Sequence, residues 1–596
     1  MNYSSLFRRK TFETGLDFDD ENPNQGGLAE GLNEDIPHPR HAMKRVLNVR
    51  DLTFFGIAAI IGAGSFSSLG GAVFNGGPGV VVLFIITGIA CAFTAYCYSE
   101  FASRIPLAGS AYTYAYASFG EFFAWIIGWA LIMEYSIGNI YVAFSWSDYA
   151  TSFMHKVNIN IPDYLSCSYI EAKKAVLSGS TNAELLNAWN AAPLVAGIRF
   201  IADIPALIIN VLITYLVYRG IKESRNFSNA MVILKLFIVA LVIIVGGVLI
   251  YNNGLSFNWT PENDDGIKSF MPNGFGGVMM AVSGVFFAYI GFDAVSVLAE
   301  ESKNPQRDLP RGMIYSLIIC TVVYILLTLV LTGAVHYKKF DGVGDPLAFI
   351  FEPQNLNIGW MQILVSVCAI IAMTSVLLVF QMGQPRIWMS MSRDGLMPPL
   401  FQKIHPKYKT PSFATLITGL VVGVPILFTD KTFVLDFTSI ATLFAFVLVC
   451  GGVLLLPRVE KRKGRFVMPY INGQYIFPLL AILAFISFSL VNKDYFSNTF
   501  DFDFSTNTDY KDGKSSFMDL ATPKISLILF WLICIILSIF TFIKKYSLIP
   551  LMGVSTCLYL LTGMSKSNWI WFIAWLILGL IFYFLYGYKN SKLSGK

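Results

Sequence analysis

Charged residues are scarce in this chain of 596 residues, of which only 14% are Asp, Glu, Lys or Arg. The chain has five histidines, and its eight cysteines form no Cys-x-x-Cys pair and no Cys/His cluster. The sequence therefore indicates no metal site, no disulfide framework and no cofactor. A membrane enzyme is also disfavoured, because no set of nucleophile, base or metal ligands lies in or beside the apolar segments.

Apolar segments make up most of the chain. Hydrophobic residues account for 55% of it and occur in runs of about 20, the length of a helix that crosses a bilayer. The sequence therefore predicts an all-α polytopic membrane protein. We expect fourteen spans, near residues 52–74, 79–99, 122–149, 201–218, 230–250, 275–298, 313–335, 358–383, 412–429, 433–456, 474–491, 523–543, 547–563 and 568–587.

Basic residues are concentrated in alternate connections between these spans, near 40–50, 219–225, 303–311, 386–409, 458–465 and 544–545. Because lysine and arginine accumulate on the cytoplasmic side, we expect both termini to be cytoplasmic, in a plasma or inner membrane. The same bias explains the net charge of +5, which therefore gives no case for nucleic-acid binding. Residues 1–45 contain no apolar run, so we expect a cytoplasmic tail without a cleavable signal peptide, in which the polar, acidic segment 13–35 is disordered.

Glycine and serine crowd the middle of the first span, between Ala58 and Gly71. A backbone in lipid must satisfy its own N–H and C=O groups, so such a stretch is typical of a broken helix that lines a cavity or meets a ligand. The freed amides would suit a carboxylate, and the freed carbonyls would suit an ammonium group or a cation. An amino acid carries both groups. The alternative is that the small residues only let two helices pack closely.

Several strings in the chain are similar to one transporter family. The clearest is Arg-x-Pro-x-Ala-Gly-Ser-Ala-Tyr-x-Tyr-Ala-Tyr, at 104–116. The other similar strings lie at 128–135, 286–296, 300–311, 374–378, 383–386 and 392–396. The chain thereby resembles the amino acid–polyamine–organocation superfamily and, within it, the cationic amino acid transporter family of amino acid permeases. The resemblance covers residues 45–465 and the last two spans.

This resemblance implies a fold of the leucine-transporter type, with two inverted five-helix repeats whose helices 1 and 6 are broken at mid-membrane. The second break falls at 287–291, five spans after the first. The spans at 474–491 and 523–543 look inserted, and we assign them no function. The chain then begins with a tail, 1–45, followed by a transporter core, 46–457, whose two repeats are 52–250 and 275–456. Four additional helices follow at 458–587, and a second tail at 588–596.

The resemblance also implies where an amino acid would bind. The backbone N–H groups of Ala63, Gly64 and Ser65 would hold its carboxylate. The freed carbonyls near Ile60, Phe287 and Ile290 would hold its ammonium group. Phe287 would be an aromatic gate over the substrate. Ser65 stands where the family usually has a bulky aliphatic residue, so the substrate range is left open. If the hydroxyls at 65–68 face the cavity, they widen and polarise it.

Two charged residues lie inside predicted spans. Glu134 is roughly 18 Å from either end of its span, so it is either a neutral, hydrogen-bonded core residue or a functional one. Lys235 is roughly 7 Å deep, within reach of a snorkelling lysine. Proton-coupled relatives carry a helix 5 lysine where sodium-coupled relatives bind the ion. By resemblance, Lys235 would be this coupling group, with Thr374 and Ser375 as its helix 8 neighbours. Glu134 would be its relay or counter-ion.

The sequence thus predicts secondary active transport of amino acids, coupled to protons as symport and performed by alternating access. Two alternatives remain open. One is a sodium-coupled symporter or an exchanger on the same fold, and the other is a receptor that binds an amino acid without transporting it. The expected partners are an amino acid, protons and the lipid bilayer. Neither the identity of the amino acid nor the oligomeric state follows from the sequence.

Overall fold

The computed structural model describes residues 8, 47–105, 110–177, 183–195, 197–220, 225–262, 266–408, 410–456, 466–491, 499–503 and 516–593. The segment 13–35, predicted to be disordered, lies outside these residues. Nine of the described helices are long and apolar enough to cross a membrane, or ten if one bent pair is a single span. The chain is therefore a helical, multi-pass membrane protein.

The helices of the first half are α1 (Val49–Ile60), α2 (Leu69–Gly76), α3 (Val80–Arg104), α4 (Ser110–Ser118), α5 (Glu121–Lys156), α6 (Tyr169–Leu177), α7 (Ala183–Ala191), α8 (Ile204–Arg219), α9 (Arg225–Asn252), α10 (Gly274–Met280) and α11 (Val282–Phe287). Between α7 and α8, the short strands β1 (Leu194–Val195) and β2 (Ile198–Arg199) pair in an antiparallel hairpin.

The second half contains α12 (Pro305–Ala334), α13 (Pro346–Phe349), α14 (Gly359–Arg393), α15 (Ser412–Ile426), α16 (Lys431–Leu455), α17 (Gly473–Val491), α18 (Phe517–Lys544), α19 (Leu548–Leu561), α20 (Lys566–Phe582) and α21 (Tyr588–Asn590). Three predicted spans coincide with the shorter apolar helices α8, α15 and α19. The number of fourteen spans stays a prediction.

The first helix is broken where its glycines and serines predict a break. α1 begins at a capping box, in which the Asn48 side chain accepts the N–H of Asp51 and the Asp51 carboxylate accepts the N–H of Asn48. It ends at Ile60, and the extended backbone of Ile61, with φ −78° and ψ 96°, turns the chain away. The chain then resumes as a π turn at Gly64–Ser68 that leads into α2.

A second break follows α11. α11 ends at Phe287, and a separate bend of 44°, between Gly274–Met280 and Val282–Ser296, precedes α11. Gly291 has φ +116°, a backbone conformation that favours glycine, and a 3₁₀ segment continues as Phe292–Glu301. The regular α-helix is therefore interrupted between Phe287 and Phe292.

The two breaks lie in direct contact. A Cβ atom on Gly64 would lie 2.5 Å from the Cα atom of Ala288. On the other side, a Cβ atom on Gly291 would lie 3.0 Å from the carbonyl carbon of Ala59. Both contacts involve backbone atoms, so glycine is required for the two chains to approach this closely.

Other long helices surround this crossing. α5 packs along α14 and α16, and α12 packs along α1 and α3. Near the end of the chain, α20 is joined to α5 by paired indoles, because Trp129 Nε1 donates to the carbonyl of Trp575 and Trp575 Nε1 donates back to that of Trp129. By contrast, α17 and α18 pack mainly against each other and α19, with most of their apolar side chains exposed.

Candidate functional site

A small buried cavity lies where the two breaks meet. The residues that line it come from α1, the first break, α5, α11, the second break and α14, and they are Ala59, Ile60, Ala63, Gly64, Val142, Phe287, Ile290, Val376 and Phe380. Five of the six residues expected at a substrate site are among them. The side-chain walls from α5 and α14 were not foreseen, because valine and phenylalanine in an apolar span give no local signal in the sequence.

Ser65 differs from the expectation and does not line the cavity. Its N–H and its hydroxyl both donate to the carbonyl of Gly62, at 3.1 Å and 3.0 Å. The neighbouring serines are likewise bonded to backbone, Ser67 to the carbonyl of Gly344 and Ser68 to that of Gly284. The three hydroxyls thus bond backbone carbonyls, and none of the three serines lines the cavity.

Tyr324 of α12 joins the two breaks. Its buried hydroxyl lies 2.9 Å from the carbonyl oxygen of Ile60 and 2.7 Å from that of Ala288. Because a hydroxyl carries one proton, it donates to one carbonyl at a time. The carbonyl of Ile60, expected to meet a substrate ammonium, therefore shares its lone pairs with this tyrosine.

Lys235 of α9 is buried, with 1% of its surface exposed, and does not reach the membrane surface. Its ammonium donates to the Ser375 hydroxyl at 2.6 Å and to the carbonyls of Ala58 and Ile61, both at 3.3 Å. These carbonyls belong to the end of α1, and Ser375 belongs to α14. The ammonium thus joins the broken helix to α14, directly behind the cavity.

Thr374 faces another way. Its hydroxyl accepts the indole N–H of Trp146 and donates to the carbonyl of Ile370. Successive residues of an α-helix are about 100° apart around its axis because a turn contains 3.6 residues. Of the two helix 8 neighbours predicted for Lys235, only Ser375 therefore contacts it through a described hydrogen bond.

Glu134 of α5 lies in a different polar cluster. It is buried at 3% exposure, and its neighbours are Asp293 of the 3₁₀ segment and Thr442 of α16. The backbone N–H groups of residues 291, 293 and 294 bond the Asp293 carboxylate. The described contacts thus group Glu134 with a second carboxylate, whereas those of Lys235 are with α1 and α14.

A stack of side chains covers the cavity at the end of the helix bundle next to α6, which we call the α6 end. Lys431, at the start of α16, pairs with Asp148 of α5. Its ammonium lies 5.7 Å from the ring centroid of Tyr141, and the Tyr141 ring contacts that of Phe287 edge to face at 4.5 Å. Phe287 therefore lies between Tyr141 and the cavity.

Glu171 of α6 lies beside this stack. Burial raises the pKa of its carboxyl from 4.5 to about 7, the charges of Asp148 and Asp430 add to the rise, and the Lys431 ammonium opposes it. The same end is closed by the ion pair of Lys174 with Asp430, at 2.6 Å. An ionisable carboxyl is thus built into the contact between α6 and the ends of α5 and α16.

This arrangement predicts a pH-dependent stability. A carboxyl whose pKa is higher in the folded chain binds its proton more tightly there, so stability falls as pH rises from 4.5 to about 7. We expect Glu171→Gln, which stays neutral, to match the wild-type unfolding midpoint at the acidic end of this range and to exceed it above the range. Thermal unfolding of the purified protein in detergent measures this.

Glu262→Gln is the matched control, since Glu262 is an exposed carboxyl in another loop, and it should follow the wild type throughout. A Glu171→Gln protein with the wild-type pH profile would contradict a half-buried Glu171 that binds its proton more tightly in the folded chain.

A bundle of apolar helices in which two broken helices meet around a buried cavity has the form of a membrane transporter. Comparison with known proteins agrees with this class. The sequence model of the amino acid permease family matches residues 47–504, and the chain belongs to that family.

Individual relatives differ in what their names say they carry. The chain is 34% identical to the branched-chain amino acid permease BcaP of Bacillus subtilis, over 93% of this chain and 95% of that protein. It is 32% identical to the methylthioribose transporter of the same organism, over 99% and 100%. It is 34% identical to the vacuolar cationic amino acid transporter 4 of Arabidopsis thaliana, over 70% and 64%. All three are named as transporters or permeases and not as enzymes.

Proposed function

We propose that this protein carries amino acids across a plasma or inner membrane together with protons, as a symporter that works by alternating access. The observation that carries the proposal is the Lys235 ammonium, bonded to the end of broken helix α1 and to Ser375 of α14 directly behind the cavity. In this account the cavity holds the substrate, and the lysine holds the proton.

Binding would use the backbone at the breaks. The first amides of a helix lack a carbonyl partner within the helix and carry partial positive charge, so Ala63 and Gly64 suit the substrate carboxylate. Carbonyls near Ile60, Phe287 and Ile290 suit its ammonium. The N–H of Ser65 is less suitable, since it already bonds the carbonyl of Gly62.

The membrane arrangement is part of the proposal. We propose fourteen spans, with two inverted five-helix repeats at 52–250 and 275–456 and both termini in the cytoplasm. The alternating basic connections support this orientation. The α6 end of the bundle is then the outer end, and Phe287 is an outer gate whose contact with Tyr141 opens when substrate enters.

Coupling requires a group that binds its proton differently in the two orientations, because a group equally protonated in both cannot bias them. Burial disfavours the charged form of lysine, and three acceptors surround the Lys235 ammonium in the present state. Loss of its proton would weaken this tie between α1 and α14. Glu134, in its separate cluster with Asp293, would act as a relay.

Uptake into liposomes that contain the purified protein tests the coupling. A pH gradient, acidic outside, and a sodium gradient are imposed separately, and uptake of each of the twenty amino acids is measured. We expect accumulation with the pH gradient alone. Accumulation that requires sodium, or exchange that needs neither gradient, would contradict proton symport, and binding without accumulation would indicate a receptor.

A further inference from the structure

The cavity has side walls that the backbone site does not require. Val142 of α5 and Val376 and Phe380 of α14 form them, and all three are buried, at 1%, 2% and 5% exposure. The cavity volume is about 10 Å³, room for about one water molecule. The walls therefore lie close together in this state, and a substrate side chain would have to part them and contact all three.

These walls offer no polar partner to that side chain. Among the described residues that line the cavity, every side chain is aliphatic or aromatic, apart from glycine. A buried charge needs a partner of opposite charge and hydrogen bonds. The Lys235 ammonium, 3.3 Å from the carbonyl of Ile61, adds repulsion toward a second cation. The lining thus favours a neutral, apolar side chain.

Two carboxylates nevertheless lie nearby, behind Phe380. The Phe380 ring packs edge to face on Tyr135, with centroids 5.6 Å apart, and a Cβ atom on Gly138 would lie 3.1 Å from its edge. Glu134 is one turn of α5 from Gly138, and Asp293 is its neighbour. Neither acid lines the cavity, and Phe380, which does, contacts α5 next to Glu134 through Tyr135 and Gly138.

We propose that the site takes small neutral amino acids with aliphatic side chains, and that Phe380 determines this by closing the cavity off from Glu134 and Asp293. This inference rests on the proposed amino acid transport through the same cavity. A carboxylate within reach would bind the ammonium or guanidinium of a cationic substrate. An aromatic wall instead stabilises buried aliphatic carbon.

Competition for uptake in liposomes tests the substrate class. Uptake of radiolabelled leucine and of radiolabelled lysine is measured for the wild type, with valine, isoleucine, arginine and methylthioribose as competitors. We expect leucine uptake, with valine and isoleucine competing at roughly tenfold lower concentrations than arginine or methylthioribose. Preference for lysine, arginine or methylthioribose would overturn the inferred class. Absence of saturable uptake of any of the twenty amino acids would overturn the proposed function itself.

Substitution of Phe380 tests its role as the wall. Phe380→Ala is expected to weaken competition by valine and isoleucine and to strengthen competition by lysine, whereas Phe380→Leu keeps an apolar wall and the wild-type order. Val379→Ala, which shortens a buried side chain of α14 outside the cavity lining, is the control and should keep that order. A folded Phe380→Ala protein with the wild-type order of competitors would show that Phe380 does not set the specificity.

A second variant addresses the same point without enlarging the cavity. If the carboxylates are outside the substrate's reach, Glu134→Gln leaves the order of competitors unchanged, whatever its effect on rate. Selective loss of competition by lysine in this variant would put the carboxylate inside the site and overturn the inference. Because this substitution preserves side-chain volume, the result does not depend on whether Phe380→Ala folds.

Discussion

Lys235→Ala is expected to abolish accumulation of amino acid driven by a pH gradient, lowering it to the level of liposomes without protein. The ammonium is the link between the end of α1 and Ser375 of α14, and alanine removes both the link and the proton. Each buried acceptor left without a donor costs about 1–3 kcal/mol, so the unfolding midpoint should also fall. Substrate binding, which is proposed to use the backbone on the cavity side, should survive at least in part.

Two further variants separate charge from proton release. Lys235→Arg keeps a cation and its donors but does not release a proton in the physiological range, so it should bind substrate without driven accumulation. Lys339→Ala removes an exposed lysine of a loop and should behave as the wild type. Full gradient-driven accumulation by Lys235→Ala would show that coupling lies elsewhere.

Gly64→Ala is expected to lower uptake by at least about tenfold, although it adds one methyl group. That methyl carbon would lie 2.5 Å from the Cα atom of Ala288, and backbone cannot move aside as a flexible side chain can. The two breaks would have to separate. The amides and carbonyls proposed to hold the substrate would then lose their mutual geometry, for which a misplacement of about 1 Å is costly.

Gly71→Ala is the matched control, because Gly71 is exposed on α2 and its added Cβ would meet no atom within 4 Å. Uptake by this variant should equal that of the wild type, and alanine's higher helix propensity should stabilise it slightly. Wild-type uptake by Gly64→Ala would contradict the close crossing of the two breaks.

The first break could be predicted because its cause is local, whereas the second was expected from the family resemblance. Backbone polar groups in lipid must be satisfied within the segment, so a cluster of glycine and serine at mid-span is informative by itself. It was harder to predict which α14 hydroxyl accepts a hydrogen bond from Lys235. Choosing between Thr374 and Ser375 requires the rotation of α14 about its axis, which is set by packing against α5 and not by the local sequence.

The serines at the first break show a second limit. Ser65, Ser67 and Ser68 could have faced the cavity or their own backbone, and the sequence is the same in both cases. Short hydroxyl side chains readily bond nearby carbonyls, and Ser65 and Ser68 bond those of Gly62 and Gly64. At this break, the serine hydroxyls are therefore used by the backbone.

The side walls were beyond prediction for a different reason. Val142 and Phe380 are more than 200 residues apart in sequence, and each is an ordinary apolar residue of a membrane span. Tyr324 gave a weak signal, since a tyrosine at mid-span needs a partner for its hydroxyl. Its actual partners, the carbonyls of Ile60 and Ala288, follow only from the tertiary arrangement.

The central claim is that an amino acid and a proton cross the membrane together. The most direct test is to measure the pH inside liposomes with a trapped dye while leucine is added outside. No pH gradient is imposed, and a potassium ionophore clamps the membrane voltage. The account predicts that leucine entry acidifies the interior for the wild type and does not do so for Lys235→Ala. Leucine entry through the wild type without any change in internal pH would contradict it.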